Sequence, residues 1–142
     1  MSQGQLIEYE TYLLLGHFFV IIIILFGWIF RSTRLWSRWV VYLTVFFWVA
    51  VGLAIGDPGY CPLTEWMWDI KRELGEKDLP HSFITYALRQ YGFTPIEWKV
   101  ELFSWVVLMA IFALCLLMQF IERFERLREE AAKGVVAPPP ES

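Results

Sequence analysis

A chain of 142 residues is about one domain's worth, and its 57% hydrophobic and 18% aromatic residues against 19% charged exceed what water-soluble globular chains carry. A net charge of −3 without a strong basic patch argues against a nucleic-acid partner. No glycine-rich phosphate loop, nucleophile elbow or HExxH is present, so the common nucleotide-, serine- and zinc-based chemistries have no motif here.

The first predicted span covers residues 11–30, TYLLLGHFFVIIIILFGWIF, which is uncharged and long enough for a bilayer core needing roughly 20 apolar residues in helix. Glu8 and Glu10 precede it with no Lys or Arg, so it is read as a retained span and not a cleaved signal peptide. The second span covers residues 39–55. The connection RSTRLWSR between them holds Arg31, Arg34 and Arg38 and no acid, which predicts a cytoplasmic connection and an N-terminus outside.

Residues 56–101 form an outer segment expected to fold against the spans. GDPGY reverses the chain. CPLT then leads through Pro62 into EWMWDIKREL, with Thr64 as N-cap and Gly75 as C-cap. Leu63, Trp66, Met67, Ile70 and Leu74 make the expected apolar stripe, with Glu65, Asp69, Lys71, Arg72 and Glu73 opposite. Trp66 and Trp68 are expected at the membrane interface, as are Trp36 and Trp39.

A second short helix is predicted over 80–91, with Phe83, Ile84, Ala87, Leu88 and Tyr91 on its apolar side and Gly92 as its stop. TPIE reads as a capping box: Thr94 as N-cap, Pro95 at the first helical position and Glu97 at the third. The helix it starts meets no breaker until Gly134 and contains the third span, residues 102–121. Arg123, Arg126, Arg128 and Lys133 follow, on the same side as the first basic connection. The fold class is therefore an all-α membrane protein of three transmembrane helices with one or two short interfacial helices between the second and third. One membrane domain is expected over 1–134, and the proline-rich tail 135–142 is expected to be disordered.

Three side chains are candidates for chemistry. His17 is an ionisable group in lipid, about a turn and a half into the first predicted span; such groups face the bundle or a wet cavity. Its readings are a neutral imidazole bonded to a neighbouring span, a haem or metal ligand, or a group in proton or quinone chemistry. Cys61 is the one cysteine of the outer segment, since Cys115 lies mid-span; it packs at a helix start, pairs with another chain or ligates a cofactor. His81 completes a loose His17, Cys61, His81 group on one side of the membrane, chemically sufficient for a soft metal but at spacings that match no compact ligand motif. Asp57, Glu65 and Asp69 are read as solvated charges.

In the order of these features the chain resembles a family of small bacterial membrane proteins of unknown function marked by a Cys-Pro-Leu-Thr motif after the second span. The matching pieces are His17, CPLT at 61–64, SFITYAL at 82–88 and YGFTPIE at 91–97. Family members often carry a second histidine in the short helix, where this chain has Thr85 and Tyr86. The resemblance implies the topology and no activity.

The leading expectation is a non-catalytic accessory or assembly subunit in a bacterial inner membrane, in contact with lipid and with other subunits or copies of itself. The alternative is a redox or cofactor-binding protein using His17 with Cys61 or His81 and a haem, metal or quinone. A transporter is disfavoured, because the spans hold too few polar groups to line a path.

Overall fold

The computed structural model describes residues 3–135, and among these every regular element is helical. They divide into two units, one reaching to Phe112 and one starting at Ala113. The first contains α1 (Gln3–Phe26), α2 (Arg34–Val45), a π turn (Phe46–Val51), α3 (Gly52–Ile55), α4 (Pro62–Glu73), α5 (Phe83–Gln90) and the start of α6 (Glu97–Val135). The second is the rest of α6, in which Cys115 is buried and residues 123–133 are exposed. Among the described residues three stretches are long and apolar enough to cross a membrane: Gly4–Phe26, Arg34–Ile55 and Glu97–Lys133.

The first helix is displaced toward the N-terminus relative to the hydropathy reading. It ends at Phe26, and Gly27 beyond it leaves no room for a side chain: a Cβ there would lie 2.6 Å from the Ile23 carbonyl of α1 itself and 2.9 Å from the Ser37 Cβ of α2. Ser37 Oγ donates to the Ile23 carbonyl at 3.1 Å and Thr33 Oγ1 to that of Gly27 at 2.8 Å, which closes a turn inside an apolar run. At its other end α1 runs back through Glu10 and Glu8 to Gln3, so His17 lies roughly four turns into the helix. Arg34 and Arg38 likewise belong to α2 and not to a loop.

Between α2 and α3 the six residues Phe46–Val51 widen into a π turn, a local form that recurs at functional sites. The Trp48 carbonyl accepts from the Gly59 amide at 3.2 Å. Asp57 N–H donates to the Gly52 carbonyl at 2.8 Å, and a Cβ on Gly52 would come within 2.6 Å of the Asp57 carbonyl. The GDPG turn is thus folded onto the end of the second span, with Gly56 left-handed at φ 78°.

Pro62 occupies the first helical position of α4, after an extended Cys61 whose carbonyl accepts from the Glu65 amide at 3.1 Å. Thr64 is therefore inside the helix and buried, and is not the N-cap. At the other end Gly75 follows the capping Leu74 with φ 96°, as expected of a helix stop. The buried face of α4 is Thr64, Met67, Trp68 and Lys71, a rotation of the predicted stripe that leaves Trp66 63% exposed and puts Trp68 in the core. Lys71 is 1% exposed because its ammonium meets Glu10 of α1, sits 3.0 Å from Glu76 Oε1 and lies 4.6 Å from the centre of the Tyr86 ring. Burial disfavours the ammonium, but the bonds to Glu10, Tyr86 and Glu76 outweigh it and hold the Lys71 pKa above its ordinary value.

The core of this unit is Met67, Trp68 and Phe83, covered by Leu13, Leu14 and Ile21 of α1 and by Leu79, Tyr86 and Ala87. The second short helix spans Phe83–Gln90 rather than 80–91, with extended Ser82 before it and left-handed Gly92 beyond Tyr91. The capping box is not what starts α6. The helix begins at Glu97, with the Ile96 carbonyl accepting from Lys99 and Val100, so Thr94 and Pro95 precede it. The Glu97 carboxylate instead accepts from the His81 amide at 2.6 Å and lies 3.9 Å from Arg89, a tertiary link in place of a local cap. α6 continues through Gly134 to Val135, and the expected disordered tail lies outside the described residues beyond that point.

Candidate functional site: a cavity under the GDPG turn

Inside the first unit α1, α2, the GDPG turn and the starts of α4, α5 and α6 surround a cavity of about 420 Å³. Ordinary packed interiors leave few voids larger than a water molecule, and ligand pockets run from roughly 300 to 1,000 Å³. His17, Cys61 and His81, which the sequence joins only in a loose group, all line this one space. Pro62 and Thr64 line it too, whereas Thr94, Pro95, Glu97, Trp66 and Trp68 do not.

His17 is 8% exposed and stacks on Phe83, with ring centres 3.9 Å apart and planes within 14°. Its Nδ1 is sealed from solvent with no hydrogen-bond partner among the described residues, which leaves Nε2 as the nitrogen the cavity can reach. Aromatic groups supply another wall: Trp48, in the π turn, meets Trp105 edge-on at 5.2 Å. Cys61 is a half-buried free thiol at the head of α4.

The polar end of the cavity is built around His81. Its Nε2 lies 2.7 Å from Asp57 Oδ1 and its Nδ1 3.1 Å from Glu101 Oε1, while its amide donates to Glu97. An imidazole bonded to a carboxylate at each nitrogen can satisfy both only as the doubly protonated cation. Partial burial works against that charge, but the hydrogen bond and charge of Asp57, followed by those of Glu101, prevail and raise the His81 pKa above 6.5. The clamp fastens the GDPG turn to the loop before α5 and to the first turns of α6. Asp57 is therefore half of a buttress and not a merely solvated charge, whereas Asp69 and Glu65 pair with Arg72, at 2.7 and 3.6 Å.

Asp57 and Glu101 escape a sequence reading because they stand 24 and 20 residues from His81, with no fixed spacing. The available signal is that Glu97 and Glu101 fall on one face at the start of α6, where a cation from another element is wanted. Among the described residues no three His, Cys, Asp or Glu side chains converge so as to hold a metal ion, so the His17, Cys61 and His81 group shares a cavity without sharing a ligand point.

Neither the curated proteins nor the solved structures contain a match to the chain. A family model described as Protein of Unknown function (DUF2784) matches residues 9–120, a stretch that contains the whole cavity lining. With most of its length matched, the chain belongs to that uncharacterised family.

Proposed function

We propose that this is a membrane protein whose outer segment closes a binding cavity over the first two spans, and that the cavity holds a small amphipathic molecule against His17. The observation that carries this reading is the cavity of about 420 Å³, with an apolar and aromatic body, one buried imidazole whose Nδ1 has no hydrogen-bond partner among the described residues, and a charged clamp at the polar end. Val20, Ile21, Ile24 and Phe47 give it an apolar wall that an apolar tail would cover. The Asp57–His81–Glu101 clamp favours a holding role, since it fixes the turn that forms the roof.

Native mass spectrometry of the full chain purified from its own membrane in mild detergent tests this. The expected result is a bound small molecule in near-stoichiometric amount that is lost when Ser104, on the cavity wall, is filled by Ser104→Trp. Ligand-free protein from both preparations would overturn the reading.

A second reading, an accessory or assembly subunit, is favoured by the exposed end of α6, where Arg123, Glu125, Arg126, Arg128, Glu129 and Glu130 mix both signs. Larger subunits arriving in fixed ratio in the same preparation would support it. For location we propose a bacterial inner membrane with the N-terminus outside and the end of α6 in the cytoplasm. Its support is the clustering of Arg31, Arg34 and Arg38 and of Arg123, Arg126 and Arg128 at the span ends that this arrangement puts inside.

A further inference from the structure

We infer that the cavity selects an uncharged, flat molecule with a carbonyl oxygen, the chemistry of a quinone ring, and that His17 donates the hydrogen bond that holds it; this rests on the cavity being a binding site. The argument begins with the proton on His17. A neutral imidazole carries one N–H and one bare nitrogen. Nδ1 is sealed away with no partner, and a buried N–H without an acceptor is a rarer defect than an unfilled lone pair. The proton therefore belongs on Nε2, and the side chain offers the cavity a donor. Its natural complement is a carbonyl oxygen.

The walls select the rest of the molecule. His17 and Phe83 already form a parallel ring stack, and Phe47, Trp48 and Trp105 line the same space, so a flat ring finds aromatic faces and edges around it. An anion is disfavoured because Asp57, Glu65 and Glu101 line the cavity. A cation gains little, because those carboxylates are engaged by His81 and by Arg72. A neutral head with an apolar tail meets neither penalty, and no bond-making step is implied by its binding.

The test uses the full chain in lipid nanodiscs and measures by isothermal titration calorimetry, against empty nanodiscs, the binding of two probes: a benzoquinone with a ten-carbon tail, and the benzene of the same tail, which lacks the carbonyls. The expected result is saturable binding of the quinone, roughly tenfold tighter than the hydrocarbon, as one buried hydrogen bond would give. His17→Phe should erase that preference, and His17→Gln, whose amide can still donate, should keep most of it. Equal binding of the two probes by the unaltered protein, or a preference that survives His17→Phe, would overturn the carbonyl assignment while leaving the cavity reading standing. Absence of saturable binding by either probe would overturn both. Should His17→Phe not fold, His17→Leu takes its place, and a carbonyl preference that survives it would overturn the assignment to His17 in the same way.

Discussion

At the scale of single residues, two ionisable groups are held in charged form by acids from other elements, and the consequences can be measured. His81 faces Asp57 from the GDPG turn and Glu101 from α6, with Glu97 on its amide. Because its folded-state pKa is raised above 6.5, the stability it contributes is fully present below that pH and is lost as pH rises through the higher folded value. Thermal melting of the detergent-solubilised protein should show a midpoint that falls on going from pH 6 to pH 9, and His81→Gln should flatten that slope. For a half-exposed cluster the effect is about 1 kcal/mol at most, so a large drop that persists in His81→Gln would assign it to other groups. Lys71 is more deeply committed. Removing its partner by Glu10→Ala should destabilise the protein by about 1–3 kcal/mol, while Glu10→Leu combined with Lys71→Met should recover most of the loss, because a matched apolar pair avoids the uncompensated charge. A double-mutant cycle with no coupling would show that the pair does not hold α4 to α1.

At the scale of elements, two glycines set where the spans turn. Gly27→Ala and Gly52→Ala each place a methyl within 3 Å of backbone or a Cβ and should each cost about 1–3 kcal/mol. Gly16→Ala, with nothing within 4 Å, should be neutral or stabilising by up to about 1 kcal/mol. Denaturation midpoints of the three variants check the contrast, and equal effects would show that close approach does not matter at Gly27 and Gly52. These positions also mark what a sequence can and cannot say. The existence of three long apolar helices and two short ones is written in local composition and was legible. The end of α1 was not, because the turn at Gly27 is closed by Thr33 and Ser37 across the hairpin. The face of α4 was turned for a similar reason: Lys71 is buried by Glu10, a residue that lies 61 positions earlier. The TPIE signal failed at its acidic residue, since Glu97 is recruited by His81 before it can cap its own helix.

At the scale of the whole molecule, hydropathy carries the three long apolar helices, while the cavity is a tertiary object. His17, Cys61 and His81 each drew notice by chemical type, and the fold brings all three to one space; their spacing in the chain contains no hint of Trp48, Glu101 or Trp105 beside them. The proposed orientation predicts that an epitope at the N-terminus is reached by antibody in intact spheroplasts and that one after residue 133 is reached only after permeabilisation; the reverse pattern would invert the assignment of the cavity to the outer face. The central claim, that this space is occupied, is met most directly by an experimental density map of the protein purified from its own membrane without added ligand. The account predicts a compact, continuous density between His17 and Trp105, absent from the Ser104→Trp variant. A cavity filled only by ordered water, or collapsed by closure of the loop onto α1, would contradict it.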